Sequence, residues 1–224
     1  MFILGTSVPF ALPHLVGPER FAVYVDDSER SEASAWRLYC WNIEASAAVL
    51  GAYAALEVGV RNAMHTQLGA MHGRPDWWHA AGLRSNERTH LEEVTVHLDR
   101  RKGAGGWGTG HVVAELRSAF WEGLLVNRYH ASLWERGLRR AFPHFDGRRG
   151  ELRARLERLR LLRNRAAHHE PIYARDLQVD HRVMCEIAGY VDPGLRVWIA
   201  SHSRLPRVVE SRARTLAGHR PTRF

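Results

Sequence analysis

From Ser31 to Met71 the chain runs without a proline, and its apolar residues recur at helical spacing. Ile43, Ala47, Leu50, Ala54, Glu57, Arg61, Met64 and Leu68 fall on one stripe of a wheel turning about 100° per residue. The spacing predicts one long helix or a broken pair, stopped by Gly73 and Pro75. A chain of 224 residues built around such an element has to bury it against other helices, because no segment shows the alternation of a strand. Further helices are expected from about Glu19, over Ser85–Arg101 with Ser85 as its cap, His111–Asn127, Ala131–Ala141 and Arg148–His168. Two or three more are expected within Asp176–Thr215. The fold class read from this pattern is all-α. There is no internal repeat. Residues 1–18 read as a Pro- and Gly-rich arm, 19–217 as a single helical domain, and 218–224 as a loose basic tail.

The formal charge of +8 favours an anionic partner, nucleic acid before membrane. Lys102 is the only lysine, so the positive charge is nearly all arginine. Both a GC-rich genome and selection for guanidinium–phosphate forks produce that bias. Cys40 and Cys185 are too few and too isolated for a disulfide framework or a zinc site, which points to a reducing cytoplasm. The apolar start, MFILGTSVPFALPHLVG, lacks a basic flank and is interrupted by Pro9 and Pro13, so it makes a poor signal peptide. The longest apolar run, Ala45–Val60, contains Glu57, and no membrane association is expected. The glycine-rich stretch at 103–110 lacks a preceding strand and a Gly-Lys-Ser/Thr ending, so it reads as a connector rather than a phosphate cradle.

The segment LRNRAAHHEPI, residues 162–172, carries the chemistry. Arg163, Asn164 and His168 set a cation, a hydrogen-bonding amide and a titratable imidazole within a turn and a half. A metal-independent ribonuclease needs such an arrangement around one phosphate. His169 is a second candidate, on a different helix face. The helix must end before Pro171, because the residue preceding proline avoids the α region. On the wheel Leu152, Leu156, Leu159 and Ala166 share a stripe with Arg163 at its centre, while Asn164 and His168 lie together on a neighbouring face. A structural arginine with a C-terminal histidine satisfying the helix dipole fits the same spacing. Glu57 and Arg61 interrupt the long helix's stripe in the same way, so the two stripes are expected to face each other, with Glu57 neutralising Arg61 or Arg163. Such a network is either a structural ion cluster or a support that aims Arg163 at phosphate. Adjacent histidines cannot chelate as an i, i+4 pair would, and no metal or other cofactor is expected.

The segments WNIEASAAVLGAYAALEVGVRNAM, GHVVAELRSAFWEGLL and LRLLRNRAAHHEPIY, in that order, resemble the Abi-like (abortive infection, AbiD/AbiF-type) proteins of the HEPN superfamily. The resemblance covers roughly residues 35–205. It departs from the family at the usual FGFW-like segment, which reads SAFW here (Ser118–Trp121). It implies a HEPN-like helical bundle with additional peripheral helices, paired as a homodimer with a composite active site. It further implies endoribonuclease activity in bacterial toxin–antitoxin or antiviral defence systems, with RNA as substrate and a protein or RNA antitoxin as a further partner. By matching position, Arg163, Asn164 and His168 become catalytic, with His169, Glu57, Arg61 and Asn62 as alternative or supporting residues. The implied reaction is attack of the RNA 2′-hydroxyl on the adjacent phosphorus, giving a 2′,3′-cyclic phosphate and a 5′-hydroxyl. A non-catalytic RNA-binding protein and a purely structural interaction protein are the competing readings.

Overall fold

The computed structural model describes residues 15–28 and 31–224; the predicted N-terminal arm lies for the most part outside them. About 74% of the described residues are helical, and no strand occurs among them. The principal helices are α1 (Pro18–Asp26), α2 (Glu32–His72), α3 (Ser85–Lys102), α4 (Thr109–Glu115), α5 (Ser118–Gly123), α6 (Arg149–Ala167), α7 (Leu177–Val191) and α8 (Pro193–His202). Two short ones, α9 (Leu205–Glu210) and α10 (Arg212–Leu216), follow.

α2 is unbroken, as the spacing allows, and ends against Gly73, which takes a positive φ of 67°. Its length and composition alone would let it cross a membrane, yet half of its most apolar window is buried within the protein. The buried face is not the expected stripe. Ala45, Val49, Ala52, Leu56, Val60, Met64 and Leu68 form it, one position earlier through the middle of the helix. Glu57 and Arg61 consequently flank the core instead of interrupting it. The same correction applies to α6, where Leu152, Leu159, Leu162 and Ala166 are buried and Arg163 stands half-buried beside Leu162. The long leucines occupy the core positions, and the charged neighbours keep their heads at its margin.

Two predicted helices come out broken. Residues 111–127 divide into α4 and α5, because Leu116 and Arg117 are extended and the Ser118 hydroxyl turns to the Glu57 carboxylate. Residues 131–141 become a π-turn (His130–Trp134) and a 3-10 turn (Leu138–Ala141) separated at Gly137. A Cβ there would meet Met71 Sδ at 3.2 Å. Ser85 is the first residue of α3, not its cap; the Glu87 carboxylate accepts the Arg84 amide at 3.0 Å. Burial alone would raise the Glu87 carboxyl, but hydrogen bonds from Arg84 and Tyr129 outweigh it and hold it below its ordinary value.

By contacts the chain divides into two compact units. One comprises the described part of Met1–Gly51 with Arg163–His181 and Ser203–Phe224; the other comprises Ala52–Leu162 with Arg182–His202. In the first, Phe21, Tyr24, Tyr39 and Tyr173 form an aromatic cluster, and Trp41 donates its indole N–H to the Val208 carbonyl at 3.0 Å. Arg220 reaches the buried Glu44 carboxylate through two hydrogen bonds of 2.6 and 2.9 Å. The basic tail is therefore fastened at Arg220, where the sequence suggests a loose end. In the second unit Trp77, Trp78, Phe120 and Trp121 pack together, so the tryptophan pair is core rather than a base-stacking platform.

Three histidines are held below their ordinary value of 6.5, chiefly by burial: His65, His72 and His181. His65 also accepts the Trp77 indole N–H on Nδ1 at 3.1 Å, a bond its protonation would abolish. An imidazole that protonates less readily when folded leaves the unfolded chain with more bound protons in the interval below 6.5. Stability is then complete above that value and falls as the pH drops below it. Thermal melts should show a lower Tm at about pH 5.5 than at about pH 7.5, and His65→Gln should narrow the difference by removing one of the three contributions. A Tm that rises on acidification would refute this assignment.

Candidate functional site

The motif lies at the C-terminal end of α6, within the first unit. The His168 amide donates to the Asn164 carbonyl at 2.9 Å, so His168 keeps helical register one turn beyond Asn164. Both histidine side chains are exposed. Arg163 and Asn164 are half-buried, and the Arg163 guanidinium donates from Nη1 to Asn164 Oδ1 at 3.2 Å. That bond draws the cation toward the face that carries His168. Elsewhere on α6, Arg153, Arg155, Arg160 and Arg165 each reach a carboxylate. Arg163 has no carboxylate partner among the described residues. It is an incompletely paired cation beside a titratable group.

The helix stops through a specific cap. The Glu170 amide donates to the Arg165 carbonyl at 2.9 Å and the His169 amide to the Ala166 carbonyl at 3.2 Å, the paired bonds of a Schellman motif. His169 sits at the left-handed position with φ 58°, the only positive φ outside glycine among the described residues. Glycine usually fills that position, since a Cβ there costs about 1–2 kcal/mol. His169 thus leaves the helix at the cap, while His168 remains on the Asn164 face. His169→Gly should relieve that cost, partly offset by the greater freedom of glycine in the unfolded chain, and raise Tm by about 2 °C. A fall in Tm would show that the imidazole itself holds the turn.

The supporting residues proposed from sequence do not form the expected network. Glu57 accepts from Ser118, and Arg61 donates to the Ala114 carbonyl at 3.2 Å; among the described residues the two form no ion pair. Asn62 is exposed and makes no side-chain hydrogen bond among the described residues. The ion cluster of the second unit lies at Glu122, 6% exposed, which takes Arg160 Nε at 2.6 Å and Arg153 Nη2 at 3.3 Å. Glu122 closes a cleft whose walls include Leu56, Glu57, Arg61, Ser118 and Trp121. No group of three or more His, Cys, Asp or Glu among the described residues is arranged to hold a metal ion.

Asn42 went unnoticed in the sequence. Its side chain is 2% exposed and binds the backbone just beyond the histidines, accepting the Ile172 amide at 2.7 Å and donating to the Glu170 carbonyl at 3.4 Å. The available signal was an amide on the apolar face of α2, one residue after Trp41. A stripe phased from Ile43 hides it.

Comparison with family models, curated proteins and solved structures finds no match to this chain.

Proposed function

We propose that the chain is a metal-independent endoribonuclease of the HEPN kind, acting as a toxin or phage-defence effector. One observation carries the proposal: a half-buried arginine without a carboxylate partner among the described residues, bonded to an amide one turn from an exposed histidine. That grouping suits a phosphodiester. Arg163 supplies fixed N–H donors for charge that grows on the phosphoryl oxygens. Asn164 orients the guanidinium and holds the phosphate or the imidazole. His168 takes the proton from the 2′-hydroxyl as that oxygen bonds to phosphorus, or delivers one to the departing 5′-oxygen. The P–O5′ bond breaks, leaving a 2′,3′-cyclic phosphate and a 5′-hydroxyl. RNA supplies the nucleophile, so DNA is spared. A single motif offers one imidazole for two proton transfers, and a two-fold dimer would bring in a second copy. His169 is the alternative imidazole, and a separately encoded antitoxin would restrain the activity in the cell.

The test incubates purified protein with labelled RNA in EDTA and analyses the new ends. Cyclic phosphate ends, and resistance of a strand carrying 2′-deoxy at the cut, are the expected result. Tight binding with no cleavage would replace the enzyme with an RNA-binding protein that uses Arg163 only to hold phosphate.

A further inference from the structure

Pro171 has no N–H, so beyond the Glu170 amide, which closes the helix cap, the next backbone donor is that of Ile172. Between the end of α6 and that amide, three successive carbonyls point away from the helix, and each is taken by a side chain from a different place. Arg20 of α1 donates to the His169 carbonyl at 2.8 Å, Asn42 of α2 to the Glu170 carbonyl at 3.4 Å, and Arg165 of α6 to the Pro171 carbonyl at 2.9 Å. Only Asn42 is buried, and only Asn42 holds the segment from both sides, since its Oδ1 also accepts the Ile172 amide at 2.7 Å. Ile172 is itself fully buried, so the contact anchors the segment to the core of its unit. The left-handed backbone at His169 persists because its surroundings fix it from outside.

We propose that Asn42 is a positioning residue for the histidine pair: it fixes the exit of the chain from α6 and thereby the direction in which His168 is presented. The inference rests on the ribonuclease reading for its consequence, though not for its geometry. A core amide with only a structural role would contribute stability and leave the imidazole where it is. A positioning amide changes the chemical step, because a misplacement of about 1 Å at a reacting group costs on the order of 10²-fold in rate.

The experiment uses the full chain with Asn42→Ala, Asn42→Asp and a control, Leu38→Ala, which removes a buried side chain of the same helix that lies beside Tyr173–Asp176 and carries none of the hydrogen bonds to residues 169–172. Asp keeps the acceptor for Ile172 and loses the donor for Glu170, so it separates the two bonds. Amide exchange at Ile172, the His168 Cε1 resonance and the kinetics of RNA cleavage are measured together. Asn42→Ala should speed Ile172 exchange by at least about tenfold, shift the His168 resonance and lower kcat by about 10²-fold with KM within about threefold. Asn42→Asp should fall between Ala and wild type, and Leu38→Ala should reduce Tm while leaving the His168 resonance and kcat in place. Unchanged Ile172 exchange and His168 resonance in Asn42→Ala, or a kcat loss matched by Leu38→Ala, would overturn the proposal. Absence of cleavage by wild type counts against the ribonuclease reading alone. The exchange rates and the resonance still decide whether Asn42 places the histidine.

Discussion

His168→Ala is expected to lower RNA cleavage by about 10³-fold while binding of a strand with 2′-deoxy at the cut stays within about threefold. The size follows from the proposed role: a positioned general acid or base contributes roughly 10²–10⁴-fold, and no other side chain on the Asn164 face can take over the proton transfer. Binding is expected to be spared because the variant leaves in place the contact to phosphate proposed for Arg163. The side chain is exposed, so Tm should be unchanged. His169→Ala is the necessary companion. A larger loss from that variant than from His168→Ala would transfer the proton-handling role to the residue in the left-handed conformation. Equal residual activity in both variants would sink the assignment of either imidazole.

The second large effect concerns stability. Glu122→Ala should destabilise the protein by about 3 kcal/mol and lower Tm by roughly 6–12 °C. Glu122 is the shared acceptor for Arg153 and Arg160, and Glu157 approaches both arginines only at 3.7 and 3.9 Å. Removal of the carboxylate leaves two guanidinium groups at the edge of a cleft with no adequate partner, which costs more than the pair contributed. Both arginines keep some contact with solvent, and this holds the estimate at the low end of the range for buried pairs. Replacing Arg160 with leucine together with Glu122→Leu should recover part of the loss. A loss below about 1 kcal/mol for Glu122→Ala would mean that water screens the cluster fully.

The helices themselves were legible, and the face each one buries was less so. The ends of α2 and α6 could be read closely because proline and glycine act through one residue's backbone. The phase of a helical stripe is harder to read, since alanine-rich faces such as that of α2 offer two candidate rows one position apart. Only tertiary packing chooses between them, and the chosen row excludes Glu57 and Arg61. The breaks at Leu116 and Gly137 were hidden for a related reason: each depends on a partner distant in sequence, Glu57 in one case and Met71 in the other. The Arg163–Asn164 grouping was visible because it is local to one helix. Asn42 was not, because its two hydrogen bonds span 128 and 130 residues and no periodicity registers a contact of that range.

The clasp between Glu44 and Arg220 has a consequence in time. The two residues are 176 positions apart, and both belong to the unit that carries the histidine pair. A ribosome adding about 5–20 residues per second needs roughly 10–35 s to travel from one to the other. Throughout that interval the nascent chain holds the first part of the unit without its closing arginine. The unit that carries the histidine pair thus gains its buried Glu44–Arg220 pairing only after residue 220 has been synthesised.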